Sequence, residues 1–166
     1  MSALSFRLAT EADLRALLEL RLAIDADQAE RFGDDRYATT ISEKGVARSL
    51  KSSRILVATR RGRIVGLVSM GTKKPWAVDL QYFTPACKAV YLYNVDVSPD
   101  LQRSGIGRQL IDRVKVMAKE WTADAIRLDA YDGAAGAGPF YKKCGFKKLG
   151  HNVYRGVPLV YYEFVL

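Results

Sequence analysis

The most constraining feature of the sequence is an apolar strand that turns directly into a long amphipathic helix. Ala89–Val97 alternates aliphatic and aromatic residues, which predicts a β-strand, and Ser98-Pro99-Asp100 ends it. A helix is predicted to begin at Gly105, because apolar residues recur at helical spacing up to Trp121, over roughly four turns. The chain must therefore pack this helix on a sheet, with the helix N-terminus held close to the end of the strand.

The other elements follow from hydrophobic periodicity and from turn residues. Leucines at helical spacing behind Thr10 predict a first helix that ends before Gly33. Two further helices are predicted over residues 42–52 and 134–143, the latter ending at Gly145. The remaining strands are predicted over residues 5–9, 55–59, 64–70, 126–130, 147–154 and 159–165. This order, β-α-α-β-β-β-α-β-α-β-β, predicts an α/β (α+β) fold with a mixed sheet and helices on its faces.

Composition limits the class of protein. The 166 residues are predicted to form one domain over residues 1–166. The net charge of +8 is scattered in short doublets such as Lys73-Lys74, which is typical of a solvated surface and argues against a nucleic-acid partner. No apolar run and no leader pattern indicates a membrane partner or secretion. Cys87 and Cys144 lack metal-ligand spacing, so we expect reduced thiols, no metal and a cytoplasmic location.

The turn between the central strand and its helix carries a pattern suited to phosphate. The first N–H groups of a helix lack intrahelical acceptors, and the helix dipole favours a negative charge there. Gly105 and Gly107 remove side chains that would hold a phosphate away, while Arg103 and Arg108 add positive charge. We interpret the turn as a pyrophosphate cradle, with a tight packing turn as the alternative. The P-loop and dinucleotide fingerprints do not match, since Leu110 stands where the latter requires a small residue.

Two motifs resemble those of one known family. Gln102-x-x-Gly105-x-Gly107, preceded by Val-x-Val-Ser-Pro, resembles the acetyl-CoA-binding motif of the GNAT superfamily of N-acetyltransferases. Further along, Phe140-Tyr141-Lys142-Lys143-Cys144-Gly145-Phe146 resembles the family's second motif, a tyrosine followed by Gly-Phe. The resemblance spans about residues 90–146. It implies a GNAT-like mixed, mostly antiparallel sheet of about seven strands flanked by about four helices, and acetyl transfer from acetyl-CoA to a primary amine.

The resemblance also assigns residues to the cofactor. The main chain of Val95 and Val97 is expected to contact pantetheine and the acetyl group. The expected pyrophosphate residues are Gln102, Arg103, Ser104, Gly105, Ile106, Gly107 and Arg108. Gly136, Phe140 and Tyr141 complete the expected cofactor contacts. One position departs from the family, because Ala134 stands where many members carry an asparagine; the small residues around it would instead let pantetheine lie close to the backbone.

Acetyl transfer requires a proton acceptor for the amine and a proton donor for the departing thiolate. By resemblance, Tyr141 is the general acid; its alternative role is aromatic packing. Asp96 is the candidate base, Asp129 is a weaker candidate, and a water chain remains open. No residue identifies the acceptor amine.

The acceptor pocket is predicted from the first two helices and from residues 34–40 and 73–88, with Trp76, Tyr82 and Phe83 as lining or as a separate cluster. A homodimer is a common expectation for this family. The competing interpretation of the whole chain is a sensor domain that binds acyl-CoA without turnover.

Overall fold

A central sheet organises the computed structural model, which describes residues 2–166. Its strands are β1 (Ser5–Leu8), β2 (Arg54–Arg60), β3 (Arg63–Gly71), β4 (Ala89–Val97), β5 (Ala125–Tyr131), β6 (Lys147–Tyr154) and β7 (Val157–Val165). Its helices are α1 (Leu14–Phe32), α2 (Glu43–Ser52), α3 (Ile106–Glu120) and α4 (Gly138–Lys143). The strand order is β1-β2-β3-β4-β5-β7-β6, and only β4 and β5 are parallel. The predicted α+β fold with a mostly antiparallel mixed sheet is confirmed.

Alternating side chains give the sheet two apolar faces. On β2, Leu56 and Ala58 belong to the core that α3 and α4 cover, whereas Ile55 and Val57 face α1 and α2. The residues of α3 at helical spacing are fully or almost fully buried, namely Ile106, Leu110, Ile111, Val114 and Ala118. Burial of each such side chain contributes about 1.5–3 kcal/mol, so this helix is fixed on the sheet by its apolar face. No helix in the described part of the chain has the length and apolar character needed to cross a bilayer.

The two parallel strands separate toward their C-terminal ends. Pairing between β4 and β5 covers only Ala89 to Tyr91 and Ala125 to Arg127. Beyond that point β4 continues beside β3, while β5 continues beside β7. The register of β3 and β4 also shifts near Tyr93, which is an extra residue on β4. The sheet therefore opens where β4 leads into the predicted phosphate turn.

The small fourth helix is shorter than predicted. It begins at Gly138, with Pro139 in its first turn, and not at residue 134. The preceding glycines form a turn instead, in which the Gly136 N–H donates to the Gly133 carbonyl at 2.9 Å. Glycine is a poor helix former, which accounts for the later start. Gly145 ends the helix region as predicted, at φ +89°.

The connection between β3 and β4 is irregular apart from a 3₁₀ turn at Leu80–Tyr82. A buried ion pair anchors it, because the Glu163 carboxylate of β7 accepts from the Arg127 Nε at 2.9 Å and from the Thr84 hydroxyl at 2.7 Å. The Arg127 guanidinium also donates to the Thr84 carbonyl and to the Tyr91 hydroxyl. The connection is therefore tied to the far half of the sheet by charge as well as by aromatic packing.

Candidate active site

The turn after β4 presents a row of unpaired backbone donors. A 3₁₀ turn at Pro99–Leu101 follows the strand, and α3 begins at Ile106 with Gly105 as its N-cap, at φ +89°. Within residues 2–166, the N–H groups of residues 103–108 donate to no acceptor. They lie at the positive end of a helix of 15 residues. This geometry suits an anion such as a phosphate.

The side chains of this turn divide into two groups. Gln102 donates to the Val97 carbonyl at 3.2 Å and accepts from Arg31 at 3.4 Å, so it holds the turn against β4 and α1. The Ser104 hydroxyl donates to the Leu101 carbonyl, within the turn itself. Arg108 donates to the Lys143 carbonyl at 3.1 Å and so joins α3 to α4. Among the predicted phosphate residues, these three side chains thus already have protein partners.

Neither arginine of the motif has an ion pair among the described residues, but Arg108 donates to the Lys143 carbonyl, whereas Arg103 makes no side-chain hydrogen bond. It is exposed, and its φ of +63° places it in the left-handed region. The guanidinium is therefore available to a negative group at the α3 N-terminus.

The two glycines of the motif have different surroundings. A Cβ on Gly105 would meet nothing within 4 Å, so this glycine opens space and permits the positive φ. A Cβ on Gly107 would lie 3.1 Å from the Phe140 ring and 3.6 Å from Val97. Gly107 therefore lets α3 approach α4, and the packing interpretation applies to it more directly than the phosphate interpretation.

Tyr141 is buried at the inner side of α4, with 7% of its surface exposed. Its ring contacts those of Phe140, Phe146 and Tyr162, with centroid distances of 5.2 to 5.8 Å. Its hydroxyl makes no hydrogen bond to any described residue. Burial raises the pKa of Tyr141 above its usual value, and the nearby negative charges of Asp96, Cys144 and Asp129 raise it further. The hydroxyl is therefore protonated at neutral pH and close enough to both carboxylates to be affected by them.

A polar cavity of about 350 Å³ lies on the α1 side of the sheet, where β4 and β5 separate. Its lining comes from α1, from the segment after α1, and from β4, β5 and β7. The lining residues are Arg21, Ile24, Asp25, Gln28, Tyr37, Thr39, Thr40, Ile41, Tyr93, Asn94, Asp96, Asp129, Tyr131 and Leu159. Most of these side chains can donate or accept hydrogen bonds, so the cavity suits a polar molecule.

Three carboxylates line the polar cavity, and they differ in their charged partners. Asp25 forms an ion pair with Arg36. Asp96 lies 3.8 Å from the Arg21 Nε; burial raises the pKa of Asp96, and Arg21 opposes that rise. Asp129 has no ion pair or side-chain hydrogen bond within residues 2–166, and burial raises its pKa. Only Asp129 thus lacks a basic neighbour.

The structure brings together some of the segments that were predicted to form the acceptor pocket. Residues of α1 and of the segment 34–40 line the polar cavity, but α2 and the segment 73–88 do not. Trp76 is 84% exposed. Tyr82 and Phe83 instead pack on Tyr161, with centroid distances of 5.3 and 5.2 Å. Of the two alternatives for these aromatic residues, Tyr82 and Phe83 follow the separate cluster, and none of the three lines the polar cavity.

Arg21 and Gln28 were not predicted as site residues. Both lie on one face of α1 with Ile24 and Asp25, at the spacing of successive helical turns. Arg21, Asp25 and Gln28 at this spacing were the available signal, although polar residues also occur elsewhere on the helix. The helix places these side chains opposite Asn94 and Asp96, and the Arg21 guanidinium donates to the Asn94 side chain at 3.3 Å.

The glycines before α4 accommodate the protein's own backbone. A Cβ on Gly136 would lie 1.9 Å from the Tyr131 carbonyl oxygen, and one on Gly133 would lie 2.1 Å from the Tyr131 ring. A Cβ on Gly138 would lie 2.4 Å from the Tyr162 hydroxyl. Internal packing thus requires these small residues, whereas a contact between Gly136 and a cofactor remains a prediction. Gly136 also lines a second cavity of about 220 Å³ beside Lys142.

Similarity to known proteins agrees with this geometry. The sequence model of the acetyltransferase (GNAT) domain matches residues 51–148, more than half of the chain. The structure is similar to the ribosomal-protein-alanine N-acetyltransferase from Brucella melitensis, with 24% identity, a TM-score of 0.71 and coverage of 98% of this chain and 99% of that chain. An N-acetyltransferase from Staphylococcus aureus Mu50 is 19% identical, with a TM-score of 0.72 and 99% coverage of each chain.

A protein from Salmonella typhimurium, whose structure was determined with its cofactor acetyl-CoA, is 21% identical. Its TM-score is 0.70, with coverage of 99% of this chain and 95% of that chain. No curated protein sequence matches the chain with significant similarity. At these identities the solved structures show a shared fold.

Proposed function

The chain belongs to the GNAT acetyltransferase family, and we propose that it transfers an acetyl group from acetyl-CoA to a primary amine held in the polar cavity. The observation that carries the proposal is the row of unpaired N–H groups at the start of α3. This row lies at the end of β4, the strand whose Asp96 lines the polar cavity. A site for a phosphorylated donor and a site for a polar acceptor therefore share one strand.

The residues present fit acetyl-CoA. The N–H groups of residues 103–108, the open space at Gly105 and the unpaired Arg103 suit a diphosphate. Beyond Tyr91, β4 has no partner strand on its β5 side, so main-chain groups near Val95 and Val97 can bind an extended amide chain. When bound, acetyl-CoA would supply an activated acetyl thioester at this gap.

Tyr141 is the proposed proton donor. Its hydroxyl carries a proton that a departing thiolate can take, and no described residue accepts a hydrogen bond from this hydroxyl. A thiol has an ordinary pKa near ~8.5, so the raised pKa of Tyr141 disfavours the transfer; burial is the main cause of that rise, and the charges of Asp96 and Asp129 add to it. When either carboxylate takes the proton of the incoming ammonium, one negative charge near Tyr141 disappears and its pKa falls. Deprotonation of the amine thereby makes Tyr141 a stronger acid.

The binding half of the proposal is tested by calorimetric titration with acetyl-CoA. We expect Arg103→Ala to weaken the binding of acetyl-CoA by about 1–2 kcal/mol, roughly 5- to 30-fold in Kd, because a charged contact to phosphate is lost. Arg155→Ala is the matched control, since Arg155 is also exposed and also has a positive φ, of +49°, but lies in the turn between β6 and β7. Equal affinity of the two variants would contradict the phosphate assignment.

The catalytic half is tested by release of free thiol across a panel of primary amines. Tyr141→Phe keeps the ring packing, so we expect an unchanged acetyl-CoA Kd and turnover lower by roughly 10²- to 10⁴-fold. Binding without turnover in the wild-type protein would instead favour the acyl-CoA sensor. Failure of the wild-type protein to bind acetyl-CoA would refute the proposal itself.

A further inference from the structure

The charges that face the polar cavity do not cancel. Arg21 offsets Asp96, and Arg36 offsets Asp25. Asp129 has no such partner among the described residues, so the cavity carries one uncompensated negative charge. An unpaired carboxylate in a half-buried site is costly unless a ligand supplies the counter-charge.

The other lining residues limit which ligands can supply the positive counter-charge. About 350 Å³ lies at the lower end of the range for small-molecule sites. Gln28, Tyr37, Thr39, Thr40 and Asn94 supply neutral hydrogen-bonding groups around it. A second ammonium group would find no further unpaired carboxylate among the lining residues, and a ligand carboxylate would add to the negative charge already present.

We propose that Asp129 receives the ammonium group of the acceptor, and that the acceptor is a small hydroxylated molecule with a single cationic amine and no carboxylate. This inference rests on the proposed function and names the class of acceptor that the polar cavity binds. Asp129 lies on β5 two residues beyond Arg127, the last residue that pairs with β4, at the opening of the sheet. It therefore faces the same gap as Asp96 without sharing the Arg21 contact.

The proton transfer at Asp129 balances within the site. An N–H bond of the ammonium breaks, and its proton passes to a carboxylate oxygen of Asp129. The products are a neutral amine with a free electron pair and an uncharged carboxylic acid. Asp96 is the less suited of the two carboxylates to take this proton, because the Arg21 guanidinium beside it favours the ionised form.

A series of molecules with similar size and different charge tests the inference. Glycerol is neutral, serinol carries one ammonium, serine adds a carboxylate, and 1,3-diaminopropan-2-ol carries two amines. Their affinities are measured by chemical-shift titration of the wild-type protein, Asp129→Asn and Asp132→Asn. Asp132 is the control because it is an exposed aspartate paired with His151, outside the polar cavity.

We expect wild type and Asp132→Asn to bind serinol at least about tenfold more tightly than the other three compounds. In Asp129→Asn, serinol should bind no better than glycerol, and its acetylation should fall to background. Tighter binding of serine or of the diamine would overturn the inference, as would a serinol preference that survives in Asp129→Asn. Titration with acetyl-CoA distinguishes a failure of this inference from a failure of the proposed function. If the wild-type protein does not bind acetyl-CoA, the proposed function is refuted; if it binds acetyl-CoA, only the role of Asp129 is refuted.

Discussion

Replacing Glu163 with glutamine removes one charge from the ion pair beneath the connection between β3 and β4. The side chains of Glu163 and Arg127 are 1% and 5% exposed. The carboxylate accepts hydrogen bonds from Arg127 and from the Thr84 hydroxyl. Glutamine preserves the size of the side chain and can still accept a hydrogen bond, so the substitution isolates the loss of charge.

The expected cost follows from the burial of the remaining charge. Removing one partner of a buried ion pair typically destabilises a protein by about 3–5 kcal/mol. Because the Arg127 guanidinium keeps the Thr84 carbonyl and the Tyr91 hydroxyl as acceptors, we expect the lower end, about 3 kcal/mol. For a chain of this size, each kcal/mol lowers Tm by about 2–4 °C, so Tm should fall by about 6–12 °C.

The assay is equilibrium unfolding in urea, followed by circular dichroism. Asp27→Asn is the matched control, since it makes the same carboxylate-to-amide change in the partly exposed Asp27–Arg31 pair on α1. That pair is worth about 0.3–0.5 kcal/mol. Replacing Arg127 and Glu163 together with methionine should restore most of the lost stability. A cost of Glu163→Gln no larger than that of Asp27→Asn would refute the reasoning.

Three further outcomes are expected. Gly136→Ala should lower the free energy of unfolding by about 1–3 kcal/mol in urea, since its Cβ would clash with the Tyr131 carbonyl; an unchanged midpoint would contradict the close approach. Tyr131→Phe removes a 2.8 Å hydrogen bond to Asp35, so steady-state kinetics should show the acceptor KM raised about fivefold at an unchanged acetyl-CoA Kd. The Arg7 hydrogen bond lowers the pKa of Asp13, so Asp13→Asn should cost under about 1 kcal/mol at pH 7. That difference should vanish in unfolding measurements as the pH falls through the lowered pKa, and a constant difference would argue against the ion pair.

The fold could be predicted from the sequence wherever local pattern and tertiary packing agree. The strand Ala89–Val97 matches its predicted bounds, and α3 differs from its prediction only in that Gly105 is its N-cap. The start of α4 was predicted too early, although the signal was local. Gly133 and Gly136 are poor helix formers, and both approach Tyr131, which precedes them by only a few residues.

The site was predictable to a smaller extent. The turn after β4 is local, and its unpaired N–H groups follow from the position of Gly105. The surroundings of Phe83 depend instead on Tyr161, near the opposite end of the chain, so its place outside the cavity had no local signal. The register shift at Tyr93 also decides which face of the sheet Asp96 occupies. Such a shift cannot be predicted from a pattern in which side chains alternate strictly between the two faces. The roles of Asp96, Asp129 and Tyr141 stay predictions, and the variants above test those of Asp129 and Tyr141.

The brief pairing of β4 with β5 divides the sheet into two half-sheets, one formed by β1 to β4 and the other by β5, β7 and β6. Few interstrand hydrogen bonds oppose relative breathing of the halves, so local opening should cost less at this seam than within either half. A ligand that contacts both edges of the seam binds only the closed arrangement and therefore stabilises it by mass action. The donor molecule would then add to the core beneath α3, which already joins the two halves, and would couple their unfolding more tightly.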